Sequence, residues 1–160
     1  MFYRPFLLLL FLFPFLKSNA QSDDHTHSHY DHKNEIGIAN APVYFLKEKE
    51  LSYAMHIHLV RRFQETDWAY GLGYEKIFDE HNHQTYSGVL SYRPTERWVF
   101  NAAPGVTFEE NDTSELNFAL HIESSYEFEL GDFHIGPAAE LAYDPEDIHF
   151  SIGLHVGYGF

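Results

Sequence analysis

Apolar and polar residues alternate with a strict period of two over the last thirteen positions of the chain. Ile148, Phe150, Ile152, Leu154, Val156, Tyr158 and Phe160 interleave with His149, Ser151, Gly153, His155, Gly157 and Gly159. That period belongs to a β-strand, whose successive side chains point to opposite faces. The segment is longer than a typical soluble strand and long enough to cross a bilayer. The same alternation recurs upstream and predicts eight strands, at about 35–46, 51–63, 68–78, 84–93, 98–108, 115–128, 133–143 and 147–160. The connectors between them are short and polar, as an antiparallel meander requires. No helical periodicity competes with this pattern after residue 20. The expected fold is all-β: an eight-stranded antiparallel up-and-down transmembrane β-barrel.

The composition of the two faces decides which one points inward. One face carries Leu51, Tyr53, Met55, Ile57 and Leu59 in the second strand, Trp68, Tyr70, Leu72 and Tyr74 in the third, and Leu116, Phe118, Leu120 and Ile122 in the sixth. The opposite face mixes Gly and Ala with His, Glu, Ser and Asn. A soluble barrel or sandwich, such as a lipocalin-like carrier, would bury the bulky set. The lumen of eight strands is too narrow for it, whereas lipid accepts it readily. The bulky face is therefore expected outside. Aromatics cluster near the strand ends, with Phe63, Trp68, Trp98, Tyr126, Phe128, Phe133, Tyr158 and Phe160 at one rim. Tyr44, Tyr53, Phe78, Tyr86, Phe108, Tyr143 and Phe150 fall at the other, so the pattern predicts two interfacial girdles.

Residues 1–20 have Arg4 near their start, an apolar block interrupted by Pro14, and small residues up to Ala20. This is the layout of a secretory signal peptide, and the block is too short for a spanning helix. The expected organisation is a signal peptide at 1–20, a disordered His-rich tail at 21–34 and the barrel at 35–160. Removing Arg4 and Lys17 takes the formal charge from −14 to −16. An acidic chain is a poor partner for nucleic acid, whose phosphates need clustered Lys and Arg. The absence of cysteine excludes disulfides and thiolate metal sites.

With the leader, the eight strands and the terminal Tyr158 and Phe160, the chain resembles the small eight-stranded outer-membrane β-barrel proteins of Gram-negative bacteria. Gly71-Leu72-Gly73-Tyr74-Glu75, Phe78-Asp79-Glu80-His81, Ser91-Tyr92-Arg93-Pro94, Pro104-Gly105-Val106-Thr107-Phe108-Glu109 and Tyr126-Glu127-Phe128 resemble a His-rich, Bacteroidetes-like subgroup. The resemblance implies a location in the bacterial outer membrane with the N-terminal tail periplasmic. It also implies contact with lipid and lipopolysaccharide, and assembly by the barrel-assembly machinery.

Twelve histidines carry the candidate chemistry. His25, His27, His29 and His32 follow the leader, and alternate spacing places the first three on one side of an extended chain. Imidazole suits Zn, Cu and Ni ions; a solvated tail is the alternative. His81 and His83 lie beside Asp79 and Glu80 in a connector. A third group falls on the inward face: His56, His58, His121, His134, His149 and His155, accompanied by Glu75, Glu123, Glu127 and Glu140. A turn centred near Leu130-Gly131 would set Glu127 opposite His134 and His121 opposite Glu140. A turn around Pro145 would bring His149 and Ser151 towards Glu140, and His155 towards His134. These groups either plug the lumen structurally, through mutual hydrogen bonds, or form a metal or proton site. The candidate metal set is thus His25, His27, His29, His32, His81, His83, His121, His134, Glu127, Glu140, His149 and His155.

The functional expectation is a non-enzymatic barrel that binds divalent Zn, Cu or Ni, in metal homeostasis or as accessory to a metal transporter. A purely structural or adhesive barrel is the alternative. An enzyme is a further one, because His149-Phe150-Ser151 resembles the His-x-Ser spacing of barrel lipid A deacylases. Against it, both residues are expected to face the lumen, and no suitably spaced Glu follows before Phe160.

Overall fold

The computed structural model describes residues 32–160 except 65, 81, 110, 111 and 146. Nine strand segments run in chain order: β1 (Asn34–Phe45), β2 (Leu51–Arg62), β3 (Trp68–Ile77), β4 (His83–Tyr92), β5 (Trp98–Glu109), β6 (Asp112–Tyr126), β7 (Phe128–Leu130), β8 (Phe133–Tyr143) and β9 (Ile148–Gly159). Each pairs antiparallel with its neighbours, and β1 pairs with β9 from Glu35↔Gly159 to Phe45↔His149, which closes the sheet. Segments β6 and β7 are one strand. Both pair with β8, and Ser125↔Ala138 and Phe128↔Ile135 keep a single register. Pro137 lies on β8 between those pairs, and proline has no N–H to donate to the ladder, which accounts for the break at Glu127. The barrel is therefore eight-stranded and up-and-down.

Closure removes every sheet edge, so all ladder groups bond within the protein. Alternation then sorts the side chains. Glu35, Ala39, Ala41, Val43 and Phe45 of β1 point inward, as do Ala54, His56, His58 and Val60 of β2. The outer surface carries Leu51, Leu59, Leu72, Phe118, Leu130, Leu141, Ile152 and Leu154, with Leu72 reaching 72% exposure. The barrel is thus inside out relative to a soluble one. Asn40, the polar exception on the outer face of β1, accepts a hydrogen bond from Tyr53 Oη at 3.0 Å, so its carbonyl oxygen is not left bare in an apolar setting.

Aromatic rings gather at both ends. Near the termini Trp68 stacks on Tyr92 at 4.5 Å, Trp98 meets Tyr126 at 5.1 Å, and Phe133 meets Tyr158 at 4.8 Å. At the opposite end Tyr53 approaches Phe78 at 6.2 Å and Tyr86 stacks on Phe108 at 6.0 Å.

Three expectations need correction. The tail does not extend through residue 34, because Asn34 already belongs to β1 and its backbone N–H donates to Phe160 O at 2.9 Å. The connector expected at 129–132 contracts to Gly131-Asp132, where Gly131 has φ +69°, as the first central position of a II′ hairpin turn demands. That contraction shifts the register by two residues. Glu127 does not face His134, nor His121 Glu140; instead Glu129 pairs with His134, His121 with Ala142 and Glu123 with Glu140. A shift of two leaves every side chain on its expected face, because the strand period is two.

Candidate functional site

The lumen is filled by two ion-paired layers. The layer nearer the termini is organised by Arg93, which continues the inward set of β4 after Thr85, Val89 and Ser91. Its Nη1 lies 2.8 Å from Glu127 Oε2 and its Nη2 3.3 Å from Glu35 Oε2. Ser125 Oγ donates to Glu127 Oε1 at 2.9 Å, and His155 Nδ1 lies 3.0 Å from the same oxygen. His134 Nε2 sits 3.5 Å from Glu35 and 3.6 Å from Glu127, and His58 Nε2 sits 3.6 Å from Glu35. The His58 and His155 rings stack at 5.2 Å. Gly157 makes room for this layer, since a Cβ there would overlap the His134 ring.

The layer nearer the loop end is built from β2, β3, β5, β6, β8 and β9. His121 Nδ1 lies 3.4 Å from Glu140 Oε1 and 3.7 Å from Glu75 Oε1. His149 Nε2 lies 3.9 Å from Glu75 Oε1, and His56 Nδ1 lies 3.8 Å from Glu140 Oε2. Asn101 Nδ2 donates to Glu123 Oε1 at 2.9 Å. Above this layer Val43, Phe45, Ala54 and Ile77 form a small apolar cluster, with the Phe45 ring 5.2 Å from that of His149.

At the loop end, His83 contacts Asp79 through both its ring and its backbone N–H. Burial by itself would raise the Asp79 carboxyl, but the hydrogen bond and charge of His83 outweigh it and hold Asp79 below the usual carboxylate range.

The candidate residues fall into separate places. His25, His27, His29 and His81 lie outside the described residues. His32 precedes β1 and its Nε2 is 3.2 Å from Asp132 Oδ1 at the terminal end. His83 lies at the loop end. The luminal six divide, with Glu127, His134 and His155 in one layer and His121, Glu140 and His149 in the other. Although the register differs from expectation, Glu127 still reaches His134, and His121 still reaches Glu140, across the diagonal. The candidate set omits Glu35, Arg93, His56, His58, Glu75, Glu123 and Asn101, all of which belong to these layers. Strand parity was the available signal for Glu35 and Arg93, which look like strand-end charges in the linear sequence.

Among the described residues, three groups in the lumen have ligand atoms mutually within 4.8 Å: Glu75, His121, Glu140 and His149; Glu35, His134 and His155; and His56, Glu123 and Glu140. These are donors of the kind that divalent transition metals take.

The fold is that of the small eight-stranded outer-membrane barrels. No protein-family model and no curated protein matches the sequence. Among solved structures, the barrel is similar to the attachment invasion locus protein Ail of Yersinia pestis, at TM-score 0.54 and 15% identity, covering 81% of this chain and 99% of that one. It is also similar to Neisserial surface protein A, at TM-score 0.55 and 11% identity, covering 79% and 96% of the respective chains. The N-terminal β-barrel domain of Pseudomonas aeruginosa OprF matches at TM-score 0.51 and 17% identity, covering 81% and 99%. At such identities the likeness is one of fold.

Proposed function

We propose that this chain is a non-enzymatic barrel of the bacterial outer membrane, with both termini periplasmic, that binds divalent transition metal through its His-rich N-terminal segment. The membrane location is supported by the continuous apolar belt between two aromatic girdles, which water would not tolerate on a monomer. The observation that carries the non-enzymatic, non-porin reading is the sealed lumen. Arg93, Glu127, His134 and His155 fill one cross-section, and Glu75, His121, Glu140 and His149 fill another; each of these residues is at most 6% exposed. Ions and solutes have no open path through such a plug. A lipid-hydrolysing site is disfavoured for the same reason. His149 and Ser151 are 3% and 6% exposed inside the barrel, where an acyl chain on the outer surface does not reach them.

The metal reading rests on the alternate histidines at 25, 27 and 29, with His32 close behind, which would face the periplasm and could hand metal to a separate transporter. Titration of the purified barrel with Zn, Cu and Ni, with and without residues 21–34, tests it. Loss of the tightest binding with the segment is the expected result. Binding no greater than that of a His-poor barrel would eliminate the reading and leave a structural or adhesive barrel. Protease cleavage of the segment only after the outer membrane is permeabilised is the expected topology, and cleavage in intact cells would reverse it.

A further inference from the structure

We propose that Glu75, His121, Glu140 and His149 form a second, enclosed site, inside the barrel, for one divalent transition-metal ion of the zinc type. The site rests on the barrel reading only for where it lies, and it is separate from the N-terminal histidines.

Geometry is the first argument. Zinc bound by imidazole nitrogen and carboxylate oxygen at about 2.0–2.2 Å in a tetrahedron leaves its ligand atoms about 3.3–3.6 Å apart. Here the spacings are 3.4 Å for His121 to Glu140, 3.7 Å for His121 to Glu75 and 3.9 Å for His149 to Glu75. All four donors lie within 4.8 Å of one another. Four side chains thus converge from β3, β6, β8 and β9; three of the donor spacings are within a few tenths of an ångström of a tetrahedral edge, and the others, up to 4.8 Å, close by roughly an ångström at most when the ion is bound.

Unsatisfied chemistry is the second. Both ring nitrogens of His149 and Oε1 of Glu75 are buried without a hydrogen-bond partner. His149 and Glu75 are 3% and 4% exposed, so water does not satisfy these atoms from bulk. A buried polar atom left bare is costly, and an ion seated among these donors satisfies Glu75 and one nitrogen of His149 together.

Charge is the third. Among the described residues, the ion-pair partners of Glu75 and Glu140 are the histidines His56, His121 and His149. No guanidinium or ammonium among the described residues is paired with Glu75 or Glu140. Within the four-ligand site two carboxylates, two neutral imidazoles and one divalent cation sum to zero, while the layer's third carboxylate, Glu123, accepts a hydrogen bond from Asn101 Nδ2 at 2.9 Å. The layer below differs, because Arg93 already occupies both Glu35 and Glu127. The ligand-spaced group Glu35, His134 and His155 therefore faces a fixed positive charge that opposes a cation, and serves as a structural plug. Around the upper site, His56 abuts the Glu140 carboxylate and Phe45 packs on the His149 ring, which orients two of the ligands. A cavity of about 20 Å³ bordered by Glu75, Glu140, Ser151 and Gly153 has room for one water beside the carboxylates.

The test uses the full chain, matured in a Gram-negative outer membrane and extracted in detergent, with His25, His27, His29 and His32 replaced by Ala to silence the tail. Zn2+ and Co2+ are the probes. Elemental analysis after dialysis is expected to find about one ion per chain, and Co2+ to show the intense visible bands of a tetrahedral site. Glu75→Gln and His149→Asn, each made in that background, are expected to weaken Zn2+ binding at least about tenfold and to abolish the Co2+ bands, while His134→Gln leaves both intact. Far-UV circular dichroism and the heat-dependent gel shift of a closed barrel confirm that each variant is folded. A folded background chain that retains no metal, or folded Glu75→Gln and His149→Asn chains that bind as tightly as it does, overturns the site. If the chain is monomeric and soluble without detergent yet loses its metal in those two variants, the membrane reading fails and the site stands.

Discussion

Replacing Arg93 by Met removes the guanidinium that joins the buried carboxylate of Glu127 to the partly buried one of Glu35 in the layer nearer the termini. Arg93 is 6% exposed and Glu127 fully buried, and they meet at 2.8 Å, with Glu35 at 3.3 Å on the other nitrogen. Methionine fills similar volume, so the loss is of charge and not of packing. Breaking one side of a buried pair costs about 3–5 kcal/mol, because the remaining charge is left in a medium that does not solvate it. Ser125 and His155 still contact Glu127 at 2.9 and 3.0 Å, which places the expectation at the low end, about 3 kcal/mol. Urea unfolding of the barrel refolded into phospholipid vesicles measures it. With a slope of about 1–3 kcal/mol per molar, the midpoint should fall by about 1–3 M. Adding Glu127→Gln should restore part of the loss, with a coupling energy of about 2 kcal/mol in the double-mutant cycle. A single-mutant loss below about 1 kcal/mol, with no coupling, is the behaviour of an exposed pair and would refute the buried-plug account.

Three further outcomes follow from the same structure. Gly157→Val should destabilise the barrel by about 1–3 kcal/mol through overlap with the His134 ring, whereas Gly88→Ala, facing open space on the outer surface, should be neutral or stabilising by up to about 1 kcal/mol in the same urea assay. Leu72→Arg, at mid-strand on the outer face, should cost about 2–4 kcal/mol in vesicles, and Leu51→Arg, at the start of β2, no more than about 1; equal costs at the two depths would contradict a membrane-embedded belt. Asp79→Asn should remove a stabilisation below about 1 kcal/mol that is present above the ordinary aspartate pKa, near 4. Because His83 holds the folded-state carboxyl lower, that difference should vanish as pH falls through the folded-state value, and unfolding curves of the two chains between about pH 2 and 7 check the sign; a gap that widens on acidification would refute it.

Much of the luminal chemistry was legible in the one-dimensional pattern. His121, His134, His149, His155, Glu127 and Glu140 could all be assigned to the inward face because parity survives an error in turn length. Two of their contacts, Glu127 with His134 and His121 with Glu140, were legible too, but not the cross-strand register behind them. Contracting the connector at Gly131-Asp132 moved each pairing of β6 and β7 with β8 by two, so the acid and imidazole meet diagonally instead of squarely. Arg93 and Glu35 sit at strand ends in the sequence and resemble solvated flanks. Their 58-residue separation closes only when β1 and β4 face one another across the lumen.

Alternation of apolar and polar side chains sufficed to specify strands, their number and which face points outward, because a β-strand repeats every two residues wherever it sits. Local periodicity holds no information about which inward groups share a cross-section. Closure of β1 on β9, and the stagger it imposes on every pair between, divided one list of histidines and glutamates into a layer ion-paired to Arg93 and a layer with no guanidinium or ammonium partner among the described residues. Charge balance in a lumen is a property of distances between residues far apart in the chain, and only folding sets those distances.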